Sequence, residues 1–484
     1  MDKTSSLAVL YDGLCYAEGD DKYRDWDNNF KEKYQRPLEQ FVTNHVSGRG
    51  LARFVGISDG SYNRVVRFTF DSGGSDVALK CPKPGHSAAA LVAEKIANEA
   101  SWIEFLGEIT SIPVPHVYSY GTEPDHLSPL ELPYILMDWV PGNNLRDFLA
   151  TGPSDELRST IYQQIAAFHL ELYHLPCEGI GSVVKDSATT RWSIRRPLTI
   201  DMHQLAIGVS NYPTDDWPTE MFISAADYFE FIAKQQSNQL WNLRNLNAPP
   251  EQEAKYHNPK EIARLRYEAR YRFKQFFKVT RFWPQRDNFG PFRPFNPDLD
   301  TRNMTVDPQT GKIVGVFDLE FTNAMPTQFS CDPPLSLFKV LPGDALDTGY
   351  FAWFLQEYEP ILEQFLDAMR YEEQKRRMDR VELTPLSTLM RDSWTTKRVW
   401  FNYGLTHSDH VDAIYWAVLH ELYPDGVAPE LPPEVKAEME QYVQRTKSKL
   451  VEYDNAWQSY FRKQYNNESV VLLGDSREEA SEAE

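Results

Sequence analysis

The chain of 484 residues is 42% hydrophobic and 13% aromatic, enough for a substantial core, which excludes a disordered protein. Its formal charge of −20 argues against a nucleic-acid partner or an anionic membrane surface. Four scattered cysteines without CxxC spacing argue against a disulfide framework or a zinc site. The first residues lack a signal-peptide pattern and no run of 18 apolar residues occurs, so we expect a cytoplasmic protein without a membrane partner.

Changes in composition divide the chain into four segments. Residues 1–48 are polar and aromatic without a sustained period, and we expect an N-terminal extension that packs on the first lobe. Residues 49–139 combine short strands with one helix and form that lobe. Residues 140–470 are mainly helical, with an insertion at about 185–290. Residues 471–484 are small and acidic, and disorder is expected there.

The first lobe opens with three short strands, at residues 54–57, 65–70 and 76–81, which are predicted to pair antiparallel. The turn between the first two strands contains Gly60. Backbone N–H groups of such a turn can cover a nucleotide phosphate. A plain hairpin without a ligand is the alternative interpretation.

Lys80 lies near the end of the third strand, where an inward-facing ammonium group could reach phosphates. Such a lysine needs an acidic partner to hold it in place. The helix predicted over residues 88–106 offers Glu94, Glu99 and Glu104. The helical pattern by itself leaves all three open.

A further apolar strand, at residues 133–138, leads to Pro141-Gly142, a break that is typical of a boundary between lobes. The second lobe is predicted to begin with a helix over residues 154–174. A helix over residues 258–281 carries eight basic side chains spread around it, which favours a solvated face over an anion-binding one. Further helices are expected at residues 355–369, 387–403, 410–422 and 433–461.

The chemically richest stretch is a predicted β-hairpin with strands at residues 304–307 and 312–317 around a turn that contains Pro and Gly. Because a hairpin returns the chain to its starting end, Asp298, Asn303 and Asp318 should share a small volume. Carboxylate and amide oxygens suit Mg²⁺, and one carboxylate could accept a proton from an attacking hydroxyl group. An acidic hairpin loop without chemistry is the alternative.

The segment NPDLDTRN (296–303), followed by VFDLE (316–320), resembles the catalytic and metal-binding loops of the aminoglycoside phosphotransferase and choline kinase-like family. The family pattern has His and Gly where this chain has Asn296 and Pro297. The resemblance implies an α+β, two-lobed protein-kinase-like fold. Its first lobe would hold a small antiparallel β-sheet, and its second lobe would be large and mainly helical.

The resemblance also implies roles for single residues. Asp298 would orient and deprotonate the acceptor, while Asn303 and Asp318 would bind Mg²⁺. Lys80 would orient the ATP phosphates, paired with Glu99, which precedes an IPVP segment as the acid of that pair does in the family. Further contacts to the nucleotide are expected from Gly60, Met137 and Trp139.

The resemblance implies ATP- and Mg²⁺-dependent transfer of the γ-phosphoryl group to a hydroxyl of a small molecule. By the same resemblance, we expect the insertion at about 185–290 to help build the acceptor pocket. Asp298, Asp300, Asp318 and Glu320 would place four carboxylates near the reaction centre, a field that suits a cationic or polyhydroxylated acceptor. The alternative is a nucleotide-binding pseudokinase or scaffold in which the pocket persists without transfer. The sequence does not indicate an oligomeric state.

Overall fold

Five antiparallel strands form the sheet of the first lobe: β1 Ala52–Asp59, β2 Asn63–Phe70, β3 Val77–Pro82, β4 Val117–Gly121 and β5 Tyr134–Asp138. Their order across the sheet is β1-β2-β3-β5-β4, and every neighbouring pair is antiparallel. The structure is a computed structural model, and the residues it describes are 11–186, 188–246, 259–278, 282–283, 287–376, 384–423 and 427–478.

Helices cover both faces of this sheet. The helices of this part of the chain are α1 Gly13–Asp27, α2 Phe30–His45 and α3 Val92–Ile109. Side chains of β3 alternate between the faces: Val77 and Leu79 pack with α2 in one core, and Ala78 packs with α3 in the other. Because both faces are covered, every residue of β3 is buried. A charged residue on this strand must therefore find its partners inside the protein.

The N-terminal extension forms two helices although its sequence shows no sustained period. Helix α2 packs on β1, the expected position for an extension of the first lobe. Helix α1 also reaches the second lobe, where Arg244 Nε donates to the carboxylate of Asp12, the N-cap of α1, at 2.7 Å. At the end of β1, Tyr23 Oη donates to Asp59 Oδ2 at 2.7 Å. Helix α1 therefore connects the two lobes.

The second lobe is mainly helical. Its helices are α4 Leu145–Ala150, α5 Asp155–His174, α6 Ile200–Gly208, α7 Ala225–Asn242, α8 Pro259–Gln275, α9 Pro342–Thr348, α10 Phe351–Arg376, α11 Leu386–Thr395, α12 Arg398–Thr406, α13 Val411–Ile414 and α14 Pro433–Glu478. Its strands are β6 Asn143–Asn144, β7 Val183–Lys185, β8 Trp192–Ile194, β9 Phe292–Phe295, β10 Met304–Val306, β11 Ile313–Val316 and β12 Asn323–Pro326. Strand β10 pairs with β11 and β6, β9 pairs with β12, and β7 pairs with β8. The predicted α+β, two-lobed kinase-like architecture is confirmed.

The prediction of a solvated basic face on α8 holds for Lys260 and Lys274, which are exposed, but it is wrong for Arg266 and Arg270. Arg266 is fully buried and Arg270 is 6% exposed. Both guanidinium groups contact the carboxylate of Asp412 on α13, at 3.1 Å and 2.9 Å. Arg266 also donates to the carbonyl oxygen of Leu246 at 2.6 Å. The arginines are buried because distant elements supply the charge and the acceptors they need, which spacing along one helix does not reveal.

Two helix boundaries also differ from the prediction. The helix expected at 387–403 is two helices, α11 and α12, because Lys397 between them adopts a left-handed φ of +66°. Helix α14 runs on to Glu478, past the predicted end and into the segment 471–484 where disorder was expected. No proline follows its first residue, so nothing in the backbone forces the helix to stop. Residues 479–484 lie outside the described residues.

Within the described residues, none of the helices combines the length and the apolar composition that crossing a membrane requires.

Replacing Asp412 with Ala should destabilise the fold strongly. The substitution removes the carboxylate that Arg266 and Arg270 share in the interior, and breaking a buried ion pair costs about 3–5 kcal/mol. Urea denaturation followed by fluorescence measures the change. Glu440→Ala is the matched control, because Glu440 pairs with Arg264 on the surface and should change the midpoint little. Equal effects of the two substitutions would contradict this account of the buried cluster.

Candidate active site

Lys80 is the centre of the site in the first lobe. Its Nζ donates to Glu99 Oε1 at 2.9 Å and to Asp318 Oδ1 at 2.7 Å. It also lies 3.3 Å from Glu320 Oε2. Glu99 is fully buried on α3, opposite the strand that carries Lys80. The structure thus places Lys80 against Glu99 and Asp318, and it adds Glu320 as a third carboxylate.

The hairpin of β10 and β11 brings the second group of side chains together. The strands pair antiparallel, and Phe317 N–H donates to Asn303 O at 3.0 Å. Asn303 therefore lies beside the strand end that carries Asp318. Asn303 Nδ2 donates to Asp298 Oδ2 at 3.0 Å. Asp298, Asn303 and Asp318 are close in space, as the hairpin geometry predicts.

Asn296 joins the loop of Asp298 to the backbone of Asp318. Its Oδ1 accepts the Asp298 N–H at 2.8 Å, and its Nδ2 donates to Asp318 O at 3.3 Å. Asp318 has a left-handed φ of +64°, a conformation that costs a residue with a Cβ about 1–2 kcal/mol. The contact from Asn296 helps to hold this backbone, at the position where the family pattern has His.

Arg302 and Lys80 neutralise part of the negative charge of the site. Arg302 Nε donates to Asp300 Oδ2 at 2.9 Å, whereas Arg302 Nη2 lies 3.4 Å from Asp298 Oδ1. Asp318 and Glu320 face Lys80. The four carboxylates that the sequence places near the reaction centre are thus partly neutralised by Lys80 and Arg302. Of the four carboxylates, Asp298 lies farthest from its nearest cationic group, at 3.4 Å from Arg302.

The surroundings of Asp298 raise the pKa of its carboxyl group. Burial raises its pKa to about 7, the nearby Asp318 adds to the rise, and Arg302 opposes it. The side chain is still 33% exposed, so an acceptor can reach it. A base with a pKa near the working pH combines sufficient ionisation with sufficient basicity.

The cluster around Lys80 is shaped by burial. Burial raises the pKa of Glu99 to about 7, and Lys80 opposes the rise. For Glu320, Lys80 and Lys95 together outweigh burial and lower the pKa to about 2. Burial also lowers the pKa of Lys80, but Asp318 and Glu320 outweigh it and raise that pKa well above its ordinary value. Lys80 is therefore firmly charged at neutral pH.

Asn303 and Asp318 carry side-chain oxygens of the kind that a hard divalent cation binds. Carboxylate oxygens of Glu99, Asp318 and Glu320 lie within 4.8 Å of one another, and the ammonium of Lys80 supplies the positive charge among them. Asn303 donates through Nδ2, so its Oδ1 remains an oxygen acceptor. Asn303 and Asp318 thus offer the oxygen ligands that Mg²⁺ prefers.

Gly60 lies in the turn between β1 and β2. Its N–H donates to Asn63 O at 2.9 Å, and its carbonyl oxygen accepts from Lys83 Nζ at 3.1 Å. The next residue but one, Tyr62, packs on the second lobe, with its ring centroid 4.6 Å from that of His203. The turn is closed onto the second lobe, and a phosphate contact at Gly60 stays a prediction.

Met137 and Trp139, two of the residues expected to contact the nucleotide, lie near the end of β5 and directly after it. Met137 is buried within the sheet and pairs with Ala78. Trp139 N–H donates to Asp76 O at 3.0 Å, and the Arg67 guanidinium stands 4.8 Å from the Trp139 ring. These residues form the junction between the lobes, and their contact with a nucleotide stays a prediction.

Two members of the site were not found from the sequence. Lys95 is fully buried on α3, with its Nζ 3.4 Å from Glu320 Oε2. Asn63, at the start of β2, donates to the same oxygen at 2.8 Å. One signal was present, because Lys95 precedes Glu99 by four residues and so shares its helical face.

A cavity of about 180 Å³ opens beside Asp298 on the second-lobe side. Its walls are largely apolar and include Leu172, Phe295, Leu299, Phe329, Pro334, Leu341 and Val399. Polar groups also line it. Burial raises the pKa of Asp332 to about 6 and lowers that of His407 to about 4. Asn402 Oδ1 is buried and has no hydrogen-bond partner in the described part of the chain.

The loop of Asp298, the hairpin of β10 and β11 and the buried Lys80–Glu99 pair lie on a two-lobed, kinase-like scaffold. The model of the phosphotransferase enzyme family matches residues 53–363, and the chain belongs to that family.

Curated proteins match over shorter stretches. Altered inheritance of mitochondria protein 9 of Candida tropicalis is 30% identical over 138 residues, 28% of this chain and 22% of that protein. A subtelomeric hrmA-associated cluster protein of Aspergillus fumigatus is 27% identical over 127 residues, 26% of this chain and 24% of that protein. The chain thus spans less than a quarter of the length of these relatives.

Solved structures similar to this chain are aminoglycoside phosphotransferases. The GDP complex of wild-type aminoglycoside 2′-phosphotransferase-IIIa is 12% identical, covers 86% of this chain and 99% of its own, and has a TM-score of 0.43. The GDP and kanamycin complex of APH(2″)-IIia is 13% identical, covers 89% and 99%, and has a TM-score of 0.38.

Asp298→Asn should raise the melting temperature at pH 8, and the gain should shrink as the pH falls toward 4. The pKa of Asp298 in the folded chain is about 7, above the ordinary value of about 4. Ionisation of Asp298 therefore destabilises the folded chain progressively as the pH rises from about 4 to about 7. Differential scanning fluorimetry across pH measures the effect.

Asp307→Asn is the control of opposite sign for that measurement. The N–H of Gln309 lowers the pKa of Asp307, whose charge therefore stabilises the fold above the ordinary pKa. Its replacement should lower the melting temperature at pH 8. A gain for Asp298→Asn that did not vary with pH would contradict the assigned pKa.

Proposed function

We propose that the chain transfers the γ-phosphoryl group of ATP to a hydroxyl of a small molecule, with Mg²⁺ as the cofactor. Membership of the phosphotransferase enzyme family supports the reaction class. The observation that carries the proposal is the position of Asp298. Its carboxylate accepts a hydrogen bond from Asn303 and lines a cavity. Asp298 also lies near Asp318, which contacts Lys80. A cytoplasmic location stays a prediction.

The residues divide the work of an in-line transfer. Asp298 accepts the proton of the acceptor hydroxyl. The hydroxyl oxygen forms a bond to the γ-phosphorus while the bond from that phosphorus to the β–γ bridging oxygen breaks. Lys80, held by Glu99, binds phosphate oxygens of the nucleotide. Asn303 and Asp318 would hold Mg²⁺, which neutralises charge on the phosphate oxygens when bound. The leaving group is ADP.

The cavity beside Asp298 supports a compact acceptor that carries hydrogen-bond donors. Asp298, Asp332 and Asn402 Oδ1 offer acceptor atoms, and Arg302 is the one cationic Lys or Arg side chain among the described lining residues. Arg302 is already paired with Asp300. Amine or polyol groups would match these atoms, and the apolar walls would pack on a hydrocarbon part.

A second candidate is a nucleotide-binding pseudokinase without transfer. It is favoured by the turn at Gly60, which closes onto the second lobe through Tyr62, and by Lys80, which already faces three carboxylates. Binding of Mg²⁺-ATP without ADP release across a broad panel of alcohols would select this candidate.

Asp298→Ala should lower turnover by about 10²–10⁴-fold, the usual contribution of a general base. Release of ADP from ATP in the presence of a panel of hydroxylated amines and polyols measures it. The affinity for Mg²⁺-ATP should change little, because Asp298 contacts the acceptor. Retained turnover in this variant would remove Asp298 from the mechanism.

Asp318→Asn should abolish the part of ATP binding that depends on Mg²⁺. At a nucleotide concentration 100 times the dissociation constant, the wild-type chain should gain about 2.7 kcal/mol of stability. The variant should show the same thermal shift with ATP in Mg²⁺ as in EDTA. Asp307→Asn, in the exposed turn of the hairpin, is the control and should keep the Mg²⁺ response. A full response in Asp318→Asn would exclude its role as a ligand.

A further inference from the structure

Lys95 is a second lysine buried in the site. It lies on α3, one helical turn before Glu99, and its side chain is fully buried. Burial of an ammonium group is costly unless it is paired and hydrogen-bonded. Lys95 Nζ donates to Asn63 Oδ1 at 2.9 Å and to Ser87 Oγ at 3.3 Å, and it lies 3.4 Å from Glu320 Oε2.

Glu320 lies between the two lysines. Its Oε2 is 3.3 Å from Lys80 Nζ and 3.4 Å from Lys95 Nζ. The same oxygen accepts from Asn63 Nδ2 at 2.8 Å. Lys95, Glu320 and Asn63 therefore form a closed triangle that joins α3, the segment after β11, and the start of β2.

Lys95 gives the carboxylate of Glu320 a second cationic partner besides Lys80. Without Lys95, the buried carboxylate of Glu320 would have one cation within reach, Lys80, which Glu99 and Asp318 also contact. A third carboxylate held tightly by Lys80 would compete with any phosphate for its ammonium. With Lys95 present, the charge of Glu320 is shared and Asn63 fixes its orientation.

The triangle also fixes the turn between β1 and β2. Asn63 is the first residue of β2, and Gly60 N–H donates to its carbonyl oxygen at 2.9 Å. A side chain that is bonded to both Lys95 and Glu320 ties this turn to α3 and to the second lobe. The turn and the Lys–Glu pair are thus placed by one shared set of contacts.

We propose that Lys95 is a positioning residue that shares the charge of Glu320 with Lys80 and fastens the β1–β2 turn through Asn63, which leaves Lys80 able to bind nucleotide phosphates. The part of this inference that concerns nucleotide binding rests on the proposed function. The contact of Lys95 with Glu320 itself depends on the geometry alone.

Lys95→Met, which keeps the length of the stem and removes the charge, is the test. Isothermal titration with Mg²⁺-ATP should show an affinity at least about tenfold weaker than in the wild-type chain, with a higher Mg²⁺ concentration at half-saturation. The double variant Lys95→Met/Glu320→Gln should recover most of both values, because Glu320 then no longer competes for Lys80. Loss of packing alone would not be reversed by a change at Glu320.

Arg196→Met is the matched control. Arg196 pairs with Glu94, the residue directly before Lys95 on α3, but outside the triangle. Its replacement should leave the affinity and the Mg²⁺ dependence unchanged. The proposal is overturned if Lys95→Met binds Mg²⁺-ATP like the wild-type chain, or if the double variant is no better than the single one.

Two further outcomes separate this proposal from the proposed function. If Lys95→Met does not fold, Glu320→Gln alone is measured, and a loss of Mg²⁺-ATP affinity in that variant overturns the proposal. If the wild-type chain binds no nucleotide, the proposed function fails. The triangle is then judged by melting temperature alone. Lys95→Met should lower it, Glu320→Gln in that background should restore it, and a missing restoration overturns the Lys95–Glu320 contact.

Discussion

A charged lysine in the interior is the constraint on which the site depends. Lys80 stands on a strand covered on both faces, so its charge persists only because Glu99, Asp318 and Glu320 surround it. These acids come from α3 and from the segment after β11, so the need to neutralise one ammonium draws both elements to the sheet.

The part of the site that could be predicted is the part whose geometry is local. Asp298, Asn303 and Asp318 are joined by one hairpin, and a hairpin has few possible geometries. Lys80 could be placed because strand alternation decides the direction of its side chain. The family resemblance was needed to choose Glu99, since periodicity left two other acids on the same helix equally possible.

The part that could not be predicted depends on distant partners. Burial of Arg266 and Arg270 follows from Asp412, which is more than 140 residues away in the chain. The pairing of Asp300 with Arg302 could have been suspected from their spacing in the sequence. The strength of this ion pair depends on burial of the Asp300 carboxylate, which the spacing does not reveal. The role of Asn296 was hidden because it departs from the family pattern, yet its amide supplies both a donor and an acceptor.

The bridge made by α1 has a consequence for how the cleft can open. In a two-lobed fold the lobes rotate about the connection after β5, and nucleotide exchange requires such a rotation. Here Asp12 holds α1 to Arg244 while Tyr23 holds it to the tip of β1. Any widening of the cleft must break one of these contacts or carry α1 along. A helix outside the candidate site thus restrains the movement of the two lobes relative to each other.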